Sequence, residues 1–367
     1  MEQVLKLLLK YAKLEGFKGY DPYDALNSPI LKFLGFNKYL RILFTQTIKH
    51  LPFNLRKLLL IKKDYNPKGI GLFLSVFSKL QDIENYYILR NLLLNLSSKG
   101  YSGYCWGYNF PWQSRVFYLK PYSPTIVNTS FIGHAFLDAY ESFENTNDLK
   151  VATSCIDFIL NDLNIYQEDD FLVFSYTPID KLMVFNASLL GGSLISRVYL
   201  INRDEKLRDI ALKCGMFAYK FQNKDGSWFY APNIKYIDNF HSAYNLLSLK
   251  WIYKATEDKR INEAIEKGYE FYKKHLFTEN YLPKYYHNKL YPLDIHSYAT
   301  AIVLFVEFGE KEIAKKILDN AIDRMFDIKK QYFYFQEYKF FKNKIPYMRW
   351  SIAWMSYAIS KYLNFKL

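Results

Sequence analysis

Cysteine is scarce in this chain: Cys105, Cys155 and Cys214 are the only three in 367 residues. Odd in number and widely spaced, they argue against a disulfide framework and against a cysteine-built zinc site. Long apolar runs are missing as well. The longest, "ATAIVLFVEF", is too short to cross a bilayer, and the opening "MEQVLKLLLKYAKLEG" is amphipathic and broken by charges, unlike a signal peptide or a membrane span. A cytoplasmic protein with no transmembrane segment is expected, and peripheral docking on a membrane stays open. No Ser/Gly/Pro-rich linker interrupts the apolar residues, so residues 1–367 read as one large domain. Two His and a carboxylate can hold a catalytic metal, but no His-x-x-x-His occurs and no Cys joins the later His and Asp pairs, so no metal is expected; no other cofactor is expected either.

Acidic residues are outnumbered, 36 Asp and Glu against 49 Lys and Arg, for a formal charge of +13. Such a field favours an anionic partner. The lysines are scattered, with no dense basic run, Cys/His finger or RNP-type motif, so specific nucleic-acid binding is not expected. What the chain has in excess is aromatic rings, 34 Tyr and 30 Phe among them. Tyrosine joins an apolar ring to a polar tip, which suits a cleft for a hydroxyl-rich ligand, though a plain bias towards Tyr, Phe, Lys and Ile would look the same.

The second half repeats itself. The segments "VNTSFIGHAFLDAYE", "VFNASLLGGSLISRVY", "NFHSAYNLLSLKWIY", "DIHSYATAIVLFVEF" and "MRWSIAWMSYAISKYL" align on Ser130, Ser188, Ser242, Ser297 and Ser351, at spacings of 58, 54, 55 and 54 residues. Each opens on small or polar residues and continues as a helix-length apolar pattern, the form of a capped, buried helix. Charged amphipathic stretches such as "EDKRINEAIEKGYEFYKKH" lie between them and read as outer helices. Short aromatic turns, "DFLVFSY", "DGSWFY", "NYLPKYY" and "KKQYFYF", link outer to inner. A unit of this length cannot bury its inner face alone. With "SPILKFLGF" and "NPKGIGLFLSVFSKL" read as earlier inner helices, the expected fold is all-α: an (α/α)6 toroid of six or seven hairpins, closed by its last inner helix rather than left as an open solenoid.

In such a toroid the inner-helix N-termini and the aromatic turns converge on one funnel. In "KGYDPYDALNSP", Asp21 and Asp24 sit on a loop leading into a helix near Ile30. They therefore either face the funnel or merely satisfy backbone donors. The segment "YSGYCWGYNFPWQSRVFYLKPYSPTIVNTSFIGH" offers Trp106, Tyr108 and Trp112 for stacking, Arg115 for a carboxylate or phosphate, and Asn128 and His134 on the following helix. Later turns supply Asp225 and Trp228 in "DGSWFY", then Asp238 before His241 and Asp294 before His296. An imidazole oriented by a carboxylate is a usable base. The competing reading makes each Asp a helix cap and each His a polar core residue. Arg349 and Trp350 in "KIPYMRWSIAW" join the same end, and Arg115 with Arg349 would give the funnel a positive lining.

Taken together, "GYDPYDALNSP", "CWGYNFPWQSR" and "YMRWSIAWMSYAIS" resemble a group of toroid proteins encoded with bacterial and archaeal surface-polysaccharide genes, sometimes given labels taken from prenyltransferases. The resemblance implies glycan assembly or tailoring. It names no reaction, because toroids of this kind also serve as glycoside hydrolases, epimerases, lyases, terpenoid cyclases and protein prenyltransferases. "DGSWFY" looks like part of the Gln-Trp repeat of terpenoid cyclases, whose acidic initiating motif is not evident, and "DIHS" has His where the zinc-binding pattern of prenyltransferases has Cys.

The leading expectation is an enzyme acting on an acidic glycan or an activated sugar precursor by epimerase or lyase chemistry. Arg115 or Arg349, with Asn128, would neutralise a uronate carboxylate, His241 or His296 would be the base with Asp294 orienting His296, and a Tyr such as Tyr108 would be the acid. The rivals are a hydrolase pairing Asp21 or Asp24 with Asp225 or Asp294, a glycan-binding or scaffolding toroid without catalysis, and an isoprenoid-handling toroid of the terpenoid cyclase or prenyltransferase kind, which the polar Tyr, Asn and Arg lining disfavours.

Overall fold

The computed structural model describes residues 1–363, and within them the repeat becomes a closed double ring of helices. The inner ring is α4 (Pro67–Lys79), α6 (Ile126–Phe143), α8 (Phe185–Asn202), α10 (Asn239–Thr256), α12 (Ile295–Glu307) and α14 (Trp354–Leu363). The outer ring is α5 (Ile83–Asn95), α7 (Thr146–Asn161), α9 (Glu205–Lys220), α11 (Lys259–His275), α13 (Lys311–Met325) and α1 (Glu2–Leu14), the last of which packs on α14. Each inner helix contacts the next, and α14 returns to α4, so the described residues form six hairpins and an (α/α)6 toroid. Closure explains the composition of the inner helices. In α8 every residue from Phe185 to Tyr199 is buried, since it faces the bore on one side and outer helices on the other.

The aligned serines fall where the repeat puts them. All five are buried near the starts of α6, α8, α10 and α12 and in the π-helical turn Met348–Ala353 that leads into α14. Small residues let neighbouring inner helices approach closely: a methyl group on Gly69 would lie 3.3 Å from Arg349 Cα.

One sequence expectation fails. "SPILKFLGF" is not an inner helix but a short α2 (Pro29–Leu34), followed by α3 (Lys38–His50), and the two form an insertion outside the ring. Ile30, Phe33 and Leu34 of α2 are exposed, because six residues make under two turns and cannot span the bore.

The two ends of the toroid differ. After α6, α8 and α10 the chain reverses within a residue or two through left-handed Glu144 (φ 53°), Arg203 (φ 59°) and Glu257 (φ 54°). The opposite end carries every long loop, with small antiparallel ladders such as Trp112–Gln113 against Tyr118–Leu119 and Leu293–Asp294 against Gln336–Glu337. No helix among the described residues is long and apolar enough to cross a membrane.

Candidate functional site

The long-loop end is also where the inner helices begin, and their caps are side chains of that rim. Asn66, Thr125, Asp238 and Asp294 accept from Gly69 N (3.3 Å), Asn128 N (3.1 Å), His241 N (2.8 Å) and His296 N (2.9 Å). Four loops are thereby pinned around one mouth.

Two buried ion pairs brace it. Arg349 Nε and Nη2 grip Asp21 Oδ2 and Oδ1 at 2.7 and 2.9 Å, and Arg56 Nε meets Asp24 Oδ1 at 2.7 Å. Arg56 also donates to Asp21 O, and Asp24 Oδ2 accepts from Asp21 N, so the acids of the N-terminal loop are tied to each other as well as to the arginines. Burial pushes Asp24 up to about 6, which leaves it ionised opposite Arg56 at neutral pH. The guanidinium of Arg349 lies 5.0 Å from the ring centre of Tyr108 and 4.7 Å from that of Trp350. Its site in a π-helical turn carries both it and Trp350 to the rim, the kind of local widening often found at functional sites.

The histidines differ in kind. His241 Nδ1 bonds Asp238 Oδ2 at 2.7 Å, and the imidazole remains 22% exposed, with the Tyr230 ring 4.9 Å away. His296 is buried below, stacked on Phe240 at 4.8 Å, and its Nε2 shares a 2.6 Å hydrogen bond with Tyr244 Oη. Phe240 touches both rings, its centre lying 4.2 Å from that of His241. Burial, reinforced by Lys68 and Arg349, holds His296 well below the usual imidazole range, and its Nδ1 has no partner. Asp294 does not orient that ring. Its oxygens are taken by His296 N, by Trp350 Nε1 at 2.8 Å and by Gln336 Nε2 at 2.5 Å, which makes it the cap of the competing reading. Asp238 both caps its helix and holds its histidine ring.

Several other expected residues lie elsewhere. Arg115 is exposed at the hairpin turn after Trp112–Gln113 and does not pair with Arg349 to line the funnel. Asp225 is exposed and accepts from Ser227 N and Oγ, a turn-stabilising role. Trp106 and Trp228 are buried wedges whose indoles donate to Leu93 O and Ala218 O, and neither face is free for a sugar. Asn128 is fully buried with both amide atoms unpartnered. His134 sits halfway along α6, its Nε2 2.9 Å from Ser193 Oγ, and lines a cavity of about 760 Å³ that runs towards the short-turn end. Burial and Arg197 push its imidazole down to about 3. That cavity is thus on the far side of the Phe131, Tyr244 and Trp354 layer from the mouth. Trp112 remains at the mouth, edge-on to Tyr108 and Tyr176 at 6.0 and 5.5 Å.

The sequence reading missed Lys68, Tyr176, Tyr230 and Tyr244. Lys68 Nζ is buried 3.8 Å from the Phe131 ring centre and 3.5 Å from Tyr244 Oη, with no carboxylate bonded to it. Burial and the Arg349 charge push its ammonium well down. A lysine inside the otherwise apolar "NPKGIGLF" was the available signal. Among the described residues no three His, Cys, Asp or Glu side chains are grouped to hold a metal ion.

The architecture is that of the α/α toroids, a class with many solved members. This chain superposes on cellobiose 2-epimerase from Bacillus thermoamylovorans with a TM-score of 0.63 at 13% identity, covering 82% of this chain and 87% of that one. An unsaturated glucuronyl hydrolase specific for heparin gives 0.60 at 11% identity over 83% and 87%. A GH76 α-mannanase from Bacteroides thetaiotaomicron gives 0.57 at 14% over 82% and 86%. At these identities the likeness establishes the fold. No described protein family and no curated protein matches the sequence.

Proposed function

We propose that this protein is a single-domain carbohydrate-active enzyme that abstracts a proton next to the carboxylate of an acidic sugar, in surface-polysaccharide assembly or tailoring. The observation that carries the reading is His241. Its Nδ1 is fixed by Asp238, its ring reaches the mouth, and a second, neutral imidazole lies one phenyl ring below. With Asp238 on Nδ1, the Nε2 of His241 is the basic atom. It takes the C5 proton of a uronate, and the electron pair of that C–H bond moves onto the carboxylate. Arg349 stabilises the resulting charge; with Nε and Nη2 committed to Asp21, its Nη1 is the remaining donor. Tyr108, whose phenol burial pushes up, stays protonated and returns a proton to C5. Delivery to the opposite face inverts the centre, and loss of the C4 substituent from the same intermediate gives the unsaturated sugar of a lyase.

Likeness of fold to a cellobiose epimerase and to an unsaturated glucuronyl hydrolase supports a carbohydrate substrate, and the acidic sugar is argued from the site's own residues. A hydrolase using Asp21, Asp24, Asp225 or Asp294 is less well supported, since three of these are committed to buried partners and the fourth is exposed in a turn. Incubating the protein with uronate-containing and neutral oligosaccharides in heavy water tests the proposal. With wild type the uronate sugars are expected to gain deuterium at C5 or, where the C4 substituent is lost, a C4–C5 double bond, and with His241→Gln neither. Hydrolysis without isotope incorporation would refute it.

A further inference from the structure

We propose that the α2–α3 insertion docks the long-loop mouth on an anionic membrane surface. From residue 25 to residue 63 the sequence has no Asp or Glu and eight Lys or Arg. Four of these cations are spent inside the protein: Arg56 on Asp24, Lys49 on Tyr23 Oη, Arg41 on Gln113 and Lys63 on Glu15. The other four, Lys32, Lys38, Lys57 and Lys62, are exposed with no carboxylate partner among the described residues.

Between them stand large apolar side chains that the fold leaves in water. At the α2–α3 corner Phe33, Phe36 and Tyr39 are 84, 78 and 79% exposed. Leu43, one turn on from Tyr39, is exposed as well, and α3 ends at the exposed His50. His50 Nδ1 bonds Tyr338 Oη at 2.8 Å, and the hairpin carrying Tyr338 ends in Phe340, 88% exposed. Several aromatic rings exposed together mark an interaction surface rather than ordinary surface scatter. Their interleaving with unpaired lysines fits the boundary of a lipid bilayer, where rings enter the headgroup region and each ammonium meets lipid phosphate. A protein partner would need acidic residues placed to match four flexible lysines, whereas an anionic bilayer presents that charge everywhere.

The insertion is rigidly tied to the mouth. Asn343 Nδ2 donates to Leu51 O at 2.9 Å, and Asn27 Nδ2 donates to Asn109 O at 3.3 Å. Docking by this face brings the mouth to the membrane, and, resting on the function proposed above, the substrate would be a glycan carried on a membrane lipid.

The docking itself is tested without any activity. The protein is sedimented with vesicles of pure phosphatidylcholine and with vesicles of equal parts phosphatidylcholine and phosphatidylglycerol, at low and high salt. Binding is expected to the anionic vesicles alone and to weaken with salt. Replacing Lys32 and Lys38 by Glu should weaken it at least about tenfold at low salt, and Phe33→Ser with Phe36→Ser should weaken it at both salts. All four side chains are exposed, so the thermal melts should not move. Equal binding to both vesicles, binding to neither, or unchanged binding by the variants would overturn the proposal. So would a concentration-dependent dimer lost in the Phe33→Ser, Phe36→Ser variant, which would assign the face to a second copy of the chain.

Discussion

Asp21 and Arg349 are 328 residues apart and make a two-pronged ion pair, 2.7 and 2.9 Å, both side chains almost fully buried. The pair joins the N-terminal loop to the last repeat and so clasps the ring at its mouth. Asp21→Asn would leave a buried guanidinium uncompensated, and a loss of about 3–5 kcal/mol in urea denaturation is expected. Arg349→Lys should lose most of that too, since an ammonium cannot match both oxygens. Adding Arg349→Met to Asp21→Asn should restore part of the stability, which a simple sum of the two losses would not.

Asp238→Asn keeps an oxygen for the cap of α10 but removes the charge that sets the His241 tautomer. Activity measured by isotope exchange should fall roughly a hundredfold to ten-thousandfold, with only a small change in melting temperature. A large stability loss with proportionate activity loss would make Asp238 a cap and nothing more.

Asp294 should behave in the opposite way. Asp294→Ala strands the Trp350 indole N–H, the Gln336 amide and the start of α12 in a dry site. A destabilisation of about 2–5 kcal/mol is expected, each stranded group adding about 1–3 kcal/mol before relaxation. Chemical denaturation measures it.

Two imidazoles, His134 and His296, are held neutral by burial. Below about pH 6.5 the unfolded chain protonates them while the folded protein does not, so stability falls with acidification, by up to about 1.4 kcal/mol per pH unit for each. For His134 this continues down to about pH 3. His296→Gln should flatten the stability curve between about pH 6.5 and 5 relative to wild type.

The helices and caps were legible because their signals are local. Apolar period, capping residue and outer charge lie within one segment, and the serine register reports a geometry repeated at each inner helix. Asp238 beside His241 was legible for the same reason, with the two only a turn apart on α10. "SPILKFLGF" misled because an apolar stretch after a Ser-Pro cap reads alike whether its rings enter the bore or water. Asp294 misled because its true partners, Gln336 and Trp350, come from later loops.

The sequence by itself determined that the chain would be a ring of capped hairpins with aromatic loops at one end, since hydrophobic periodicity and repeat length act over tens of residues. Only the tertiary structure decided which charged groups are committed and which are free. Asp21 meets Arg349 and Lys68 meets no acid because ring closure packs the two ends of the chain together. Burial then makes pairing compulsory for some groups and suppresses the charge of others, and neither effect has a signature in the local order of residues.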